Sequence, residues 1–351
     1  MKECSPNSRF NCSPYIKYIF AIFILGLALA SCSQDVRVDD NIKYNSSLIV
    51  VENGMNVKVV DRLTTSLIDN NIFASNPNQL SNNIDNIYKF QNELYITSKN
   101  ANLLNVYDNT TFNLITSYTL ESNEEIGDLS FPNISNFYAS IPKTNKVVVI
   151  DRINKKISAT TISVDNNPNK LFTISNLLFV GCDNSINVIR TGSNLVENKI
   201  SITGKVDLFC QNEDGSVLIA VTSNDNKYYL EYYNTLTYEL IKKTELKSSW
   251  FEEGKTIIFN QVALVYNDIQ YGWIGSNAGL IRIDLKNYGT YNVISSRKEE
   301  ILNVYYEPIS NYLLILTARN QLKDYTLADP STGEVKKSFA FSNDTKLIFP
   351  I

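Results

Sequence analysis

The sequence predicts an all-β chain that is built from repeated strand pairs. Residues 94–108 (LYITSKNANLLNVYD) and 137–151 (FYASIPKTNKVVVID) each contain an apolar strand, a turn with Asn, a second apolar strand and a closing Asp. Alternation of Val, Ile, Thr, Tyr and Phe with polar residues is typical of half-exposed antiparallel strands. Outside the first 31 residues, no longer window has a convincing 3.6-residue apolar period, so we expect no helices in the folded part.

The strand pair recurs along the whole chain. Weaker copies lie at residues 48–61, 178–190, 218–234, 272–284 and 313–329. The closing residues of all copies are Asp61, Asp108, Asp151, Arg190, Asn234, Asp284 and Asp329. They are about 45 residues apart on average, which is the length of a four-stranded propeller blade rather than of a helical repeat. The repeat therefore predicts a seven-bladed β-propeller of four-stranded antiparallel blades.

Aromatic residues recur along the chain with the same spacing as the strand pairs. Each pair is accompanied by a short apolar segment with an aromatic residue, and these are Tyr88 with Phe90, Phe131, Phe172, Phe209, Phe259, Tyr305 with Tyr306, and Phe349. A large ring at the same point of every inner strand predicts packing between neighbouring blades. The alternative is a ligand channel that is lined by aromatic side chains.

The two ends of the folded part complement one another. The first copy begins at the second strand of a blade, whereas residues 345–351 (TKLIFPI) match an inner strand. One blade would then be completed by both ends, and the final strand would close the ring and remove exposed sheet edges. We therefore expect one propeller domain over residues 46–351.

The N-terminal residues are typical of a secretory leader. Lys2, Arg9 and Lys17 precede an apolar run at 18–30 that is shorter than the roughly 20 residues needed to span a bilayer. The run ends in Leu29-Ala30-Ser31-Cys32, which resembles the lipobox of bacterial lipoproteins. The resemblance implies a leader over residues 1–31, a flexible tether over 32–45 and a membrane lipid anchor through acylated Cys32. A plain signal peptide that ends near a cysteine is the alternative.

The residues after Cys32 indicate where such a lipoprotein is located in the cell envelope. Ser33 stands where an Asp would retain an enterobacterial lipoprotein at the inner membrane, so the outer membrane is expected. Residues 34–40 (QDVRVDD) suggest a solvated tether, or a weak relative of the surface-export signals of Bacteroidetes lipoproteins. The expected location is the cell envelope, on the periplasmic or the surface face.

Residues 95–119 and 138–168 have a more specific pattern. An aromatic strand is followed by a turn with Asn, a strand that ends in Asp, a turn of Thr, Asn or Lys, and another strand. The pattern resembles the YVTN-type β-propeller repeat. The usual Pro-Asp-Gly-like turn is mostly missing, and Arg190 and Asn234 replace the closing Asp, so the resemblance implies the fold and no particular ligand.

The composition excludes several chemistries. The chain has no histidine, so Ser-His-Asp and Cys-His pairs and His-ligated metal sites are excluded. A net charge of −4 and a pI of about 5.2 argue against a nucleic-acid partner. No phosphate loop or nucleophile elbow is present, and no cofactor is indicated. Cys182 and Cys210 fall at opposite ends of their blades, which predicts two free, buried thiols.

The loops between second and third strands offer a candidate site. Asn occurs in all of them and could hydrogen-bond a polar ligand, although Asn also stabilises turns by itself. The candidate ligand-binding residues are Asn102, Asn145, Asn184, Asn226, Asn277 and Asn320, with Trp250 and Phe251 as an aromatic anchor. The acid pairs Glu124-Glu125, Glu252-Glu253 and Glu299-Glu300 suggest either a solvated acidic edge or a site for calcium or a cationic partner.

These features predict a monomeric, non-catalytic interaction scaffold that binds an envelope protein, a peptide or a glycan. An outer-membrane assembly factor is one alternative. A propeller enzyme, such as a lactonase or lyase with a carboxylate-bound metal or a quinoprotein-like oxidoreductase, is another, because fold alone does not fix function.

Overall fold

Strands dominate the computed structural model, which describes residues 47–53, 56–70, 72–73, 84–99, 101–247, 256–266, 270–294, 299–319 and 322–351. The predicted leader and tether, and also Trp250, Phe251 and Asn320, lie outside these residues. Residues Ser46–Ile351 form one compact unit. No helix among the described residues is long and apolar enough to cross a membrane.

The strands form separate antiparallel sheets. Three of them contain β1 (Ser47–Glu52), β2 (Asn56–Asp61), β3 (Leu67–Asp69) and β26 (Thr345–Pro350); β4 (Ile84–Phe90), β5 (Glu93–Ser98), β6 (Leu103–Asp108) and β7 (Leu114–Thr119); and β8 (Leu129–Ser130), β9 (Asn136–Ile141), β10 (Lys146–Asp151) and β11 (Lys156–Ser163). The largest contains β12 (Lys170–Ile174), β13 (Leu177–Arg190), β14 (Leu195–Gln211), β15 (Val217–Asn224), β16 (Lys227–Asn234) and β17 (Leu240–Glu245). The last two contain β18 (Phe259–Val265), β19 (Tyr271–Ser276), β20 (Gly279–Asp284) and β21 (Tyr291–Val293); and β22 (Glu300–Glu307), β23 (Tyr312–Arg319), β24 (Leu322–Ala328) and β25 (Val335–Phe341). The prediction of an all-β propeller with four-stranded antiparallel blades is confirmed.

The number of blades differs from the prediction. The described residues form six hydrogen-bonded sheets, so the expectation of seven blades was wrong. The six-stranded sheet holds two sequence repeats, because the first part of the 17-residue β14 pairs with β13 and its last part pairs with β15. Gly204, at a φ of 91°, lets β14 continue from one repeat to the next, since a Cβ there would lie 2.0 Å from the carbonyl oxygen of Ser223.

The C-terminal strand closes the ring, as predicted. β26 pairs antiparallel with β1, from Leu48 opposite Pro350 to Glu52 opposite Thr345. Ile348 is fully buried and packs in one core cluster with Val50 and with Leu316 of the neighbouring sheet. The closing strand therefore joins the first and last parts of the chain through both hydrogen bonds and apolar packing.

The recurring closing Asp has a local structural cause. Oδ1 of Asp61, Asp108, Asp284 and Asp329 accepts the backbone N–H groups two and three residues ahead, at 2.7–3.0 Å. Asn234 makes the same two bonds with its own Oδ1, which explains why Asn can replace Asp there. Burial opposes ionisation of Asp108, but the bonds from Thr111 and Thr110 outweigh it and lower the pKa of that carboxyl.

Neighbouring sheets are tied together directly beside these turns. The side chains of Tyr138, Trp273 and Tyr325 donate hydrogen bonds of 2.9–3.0 Å to the carbonyl oxygens of Thr191, Pro330 and Arg62, respectively. Each accepting residue directly follows a closing residue. At Arg62 and Pro330 the turn is capped by the preceding Asp, so a fixed carbonyl meets a buried aromatic side chain of the adjacent sheet, whereas Thr191 follows Arg190.

Both cysteines of the folded part are free and buried, as predicted. Cys182 and Cys210 are each 1% exposed. Burial raises the pKa of each thiol to about 12, so neither is a reactive thiolate at neutral pH.

Replacement of Ile348 tests the role of the closing strand. Ile348→Ala leaves a cavity between the first and last sheets, so we expect the free energy of unfolding to fall by about 2–5 kcal/mol. Ile309→Ala removes an aliphatic side chain that is 86% exposed, and we expect a change within about 0.5 kcal/mol. Urea unfolding measures both; similar effects of the two variants would contradict a stabilising role for β26.

Candidate functional site

A cavity of about 1040 Å³ lies at the centre of the propeller. It is lined by Lys99, which follows β5, and by seven segments of chain that belong to or adjoin β4, β8, β12, the end of β14, β18, β22 and β26. Six of the seven strands stand at the edge of their sheet. They are therefore the inner strands of the propeller, and their edges face the channel.

The recurring aromatic residues meet in this channel. The lining includes Tyr88, Phe131, Phe172, Phe209, Phe259, Tyr305 and Phe349. Ring centroids of neighbouring segments are also close to one another, at 6.4 Å for Tyr88 and Phe131, 6.3 Å for Phe172 and Phe209, and 5.7 Å for Tyr305 and Phe349. The rings therefore pack inner strand against inner strand, as the first interpretation of these aromatic residues predicts, and they also line the cavity. Use of the cavity as a ligand channel stays a prediction.

An irregularity near the start of the inner strands was not visible in the sequence. In five of them one extra residue interrupts the pairing with the second strand, and these residues are Asp85, Asp207, Asn260, Leu302 and Lys346. Such β-bulges redirect side chains and are frequent beside functional sites. Four of the five residues are polar, so the bulges concentrate polar side chains at one end of the channel.

Except for Lys89, near the end of β4, the charged lining residues gather at this end, which we name the channel mouth. It consists of Asp85, Lys99, Asp128, Lys170, Glu300 and Lys346. Ile84 pairs with Ser98 and Glu300 with Ala318, so the inner strands start where the second strands end. The mouth therefore lies on the same face as the loops between second and third strands. Its charges are mixed, and Lys99 Nζ lies 3.8 Å from Asp85 Oδ1.

Asp128 is the most constrained carboxylate of the mouth. Its Oδ1 accepts hydrogen bonds of 2.9 Å from Tyr88 Oη and from its neighbour's backbone N–H, and its Oδ2 accepts one of 2.9 Å from the backbone N–H of Leu171. Burial in the channel wall raises the pKa of Asp128, against the opposing effect of Lys170. The same burial, with the nearby Asp128 charge, raises the pKa of Tyr88.

Asp207, at the bulge of β14, lies beside the mouth. Asp207 forms an ion pair of 3.3 Å with Lys205 through Oδ1, while its buried Oδ2 has no hydrogen-bond partner. Burial raises the pKa of Asp207. No group of three or more Cys, Asp or Glu side chains that could hold a metal occurs among the residues that the structure describes.

The predicted Asn residues surround the mouth but bond mainly to the chain itself. Asn102 donates to the carbonyl of Leu120, Asn145 accepts from the backbone N–H of Asn167, Asn184 accepts from that of Gly204, and Asn277 bonds to the backbone at 256 and 258. Asn145, Asn184 and Asn226 have φ between 52° and 61°, as turn residues require. Asn184 and Asn226 also line a second cavity of about 550 Å³. A ligand role for the Asn residues stays a prediction.

The acid pairs are separated by the fold. Glu124 is 4% exposed, pairs with Lys146 at 2.5 Å and accepts a hydrogen bond from Thr144, so it fastens the loop after β9. Glu300 lines the channel. Glu252 and Glu253 lie outside the described residues.

The pH dependence of Asp128→Asn tests how this carboxyl is held. A carboxyl whose pKa rises on folding stabilises the folded state most below its ordinary pKa of about 3.9, and that contribution is lost as the pH rises through the folded value. Asn cannot titrate and loses the acceptor for Leu171, so we expect a deficit of about 1–3 kcal/mol at pH 4 that is smaller at pH 7. Urea unfolding at both pH values measures it.

Asp108→Asn is the matched control for that measurement. The pKa of Asp108 is lowered, so its contribution is complete above the ordinary carboxyl pKa and is lost as the pH falls. Its deficit should therefore grow from pH 4 to pH 7. Parallel trends in the two variants would contradict the environment described for Asp128.

Solved structures with a similar fold are distant in sequence. Dihydro-heme d1 dehydrogenase NirN in complex with DHE has a TM-score of 0.62 and 11% identity over 87% of this chain and 75% of that chain. Kuenenia stuttgartiensis hydrazine synthase has a TM-score of 0.55 and 14% identity over 67% and 73% of the two chains. The computationally designed Ika8 protein has a TM-score of 0.60 and 13% identity over 88% and 97%. At these identities the likeness shows the fold alone.

Sequence comparison identifies a family but no activity. No curated protein sequence matches the chain. The profile that matches is not that of the YVTN-type repeat; it is described as a domain of unknown function, DUF5074, and it matches residues 62–350. Since this match covers most of the chain, the chain belongs to the DUF5074 family.

Proposed function

We propose that this chain is an envelope lipoprotein that holds a segment of polypeptide in its central channel and acts as a non-catalytic interaction scaffold. The observation that supports this function best is the channel itself, about 1040 Å³ in volume, with aromatic walls and charges of both signs at its mouth. Concave sites of this size with a few convergent polar groups are typical of ligand pockets.

The chemistry of the channel favours a peptide over a glycan. Three carboxylates and three lysines at the mouth pair with the charged groups of a peptide. The N–H groups of Leu171 and Ile348 are bound by Asp128 and Asn303, and other N–H and C=O groups at the edges of the inner strands are offered to an extended backbone. Stacking on a sugar needs a free aromatic face, whereas Phe131 is stacked on Phe90 and Phe137 at centroid distances of 5.1 and 5.3 Å.

The membrane part of the proposal rests on the sequence. The lipobox-like residues Leu29-Ala30-Ser31-Cys32 support acylation of Cys32, and Ser33 supports an outer-membrane address. The activities in the names of the two structurally similar enzymes are not part of the proposal, because identities of 11% and 14% support the fold only.

Photo-crosslinking in living cells tests the channel as the binding site. A photo-reactive amino acid at Lys170 or Lys346 of the full-length chain should give adducts whose mass spectra contain peptide from a partner. Lys336 on the outer strand β25, with 45% of its side chain exposed, is the control position and should not give those adducts.

Each outcome of this experiment has a distinct meaning. The same adducts from Lys336, or none from either channel position, would contradict peptide binding in the channel. Carbohydrate in the channel adducts would replace the peptide by a glycan. A captured outer-membrane barrel protein would favour the assembly-factor form of the scaffold.

A further inference from the structure

The exposed apolar side chains are distributed unevenly over the propeller. Among the described residues, thirteen large aliphatic side chains are exposed. Eleven of them lie on one face or its rim, and these are Leu63, Leu67, Ile134, Ile153, Leu195, Val196, Leu236, Leu240, Ile241, Ile309 and Val335. Single exposed aliphatic residues are normal, but a concentration on one side marks an interaction surface.

The topology explains why these residues share a face. Strands alternate in direction within each sheet, so the turns from first to second strand and from third to fourth strand lie at the same end. Ile134 and Ile309 occupy turns of the first kind and are 60% and 86% exposed. Leu63, Ile153 and Leu236 occupy turns of the second kind, each two residues after a closing residue. We name this end the tether face; it is opposite the channel mouth.

The rim of the tether face continues the pattern. Leu67, Leu195, Leu240 and Val335 are the first residues of their fourth strands, directly beside those turns. The two exposed aliphatic residues on the opposite side are Ile258, before β18, and Leu322, at the start of β24.

The folded chain also begins at the tether face. Ser47, the first residue of β1, pairs with the closing residue Asp61. Fifteen residue steps separate Cys32 from Ser47. Fully extended they span about 50 Å, and as a flexible chain about 20 Å. A lipid on Cys32 would therefore hold the tether face, rather than the channel mouth, near the bilayer.

We propose that the tether face rests on the lipid bilayer, with its aliphatic turn residues inserted at the interface and the channel mouth directed away from the membrane. The inference depends on the lipid anchor of the proposed function and goes beyond it by fixing the orientation. One acylated terminus raises the effective concentration of the face at the surface, so weak apolar contacts are enough to orient it.

Depth-dependent fluorescence quenching tests this orientation in the lipidated full-length protein. Ile153→Cys, Leu236→Cys and Leu322→Cys are labelled one at a time with an environment-sensitive fluorophore. Cys182 and Cys210 are 1% exposed and do not compete for the label. In phosphatidylethanolamine vesicles with nitroxide-labelled acyl chains, we expect quenching at 153 and 236 to exceed that at 322 at least twofold.

The mass of the protein is measured in the same samples, so that two failures can be told apart. Absence of acyl chains would overturn the lipid anchor of the proposed function. With acyl chains present, equal quenching at all three positions would overturn the orientation. Protection of 153 and 236 from aqueous iodide without nitroxide quenching would show that protein, rather than lipid, covers the face, and would also overturn it.

Discussion

Three junctions between neighbouring sheets depend on one repeated contact, a hydrogen bond from a buried aromatic side chain to the turn of the neighbouring sheet. Among the residues that the structure describes, no disulfide joins two sheets, and the strand ladder passes from one repeat to the next only through β14. Tyr138, Trp273 and Tyr325 each place a large ring in an interface and a polar tip on a carbonyl beside a closing residue. Burial of such a ring with an unpaired polar atom costs free energy, so at Trp273 and Tyr325 the Asp-capped turn and the aromatic residue stabilise one another.

This contact fixes the outer ends of the sheets, and the inner aromatic residues fix the ends that surround the channel. The rings of Tyr88 and Phe131, and those of Tyr305 and Phe349, meet across neighbouring sheets. Channel width is thereby set by side-chain size, because each ring acts as a spacer between two inner strands. Polar residues at the bulges then line a mouth whose shape is already determined, which favours a preorganised binding site.

Features that depend on the spacing of the repeat could be predicted from the sequence, whereas features that depend on which strands pair could not. The Asp at 61, 108, 284 and 329 and the inner aromatic residues recur because the turns and inner strands of most repeats use them, and they predicted the fold, while residues 345–351 predicted its closure. The count of blades failed at β14, because nothing in the spacing shows that Gly204 lets one strand serve two repeats. The mouth was missed for the same reason: Asp128 and Lys170 come together through strands 42 residues apart, and the bulges exist only once a register is set. The Asn residues stood out in the sequence, yet most of those that the structure describes form hydrogen bonds with the backbone.

The two faces of the propeller differ in chemistry in a way that the fold alone does not require. A propeller needs caps and packed rings, and both are satisfied whether the residue two positions after a closing residue is Thr110, Lys286 or Leu236. Thr and Lys at such sites show that the turn accepts polar residues, so Leu63, Ile153 and Leu236 are not explained by folding. These residues add apolar surface to the tether face, where β1 begins, while the mixed charges of the channel mouth lie on the opposite face. A chain held at one end by its tether would then keep its charged channel open to the aqueous side, where a polypeptide partner could reach it.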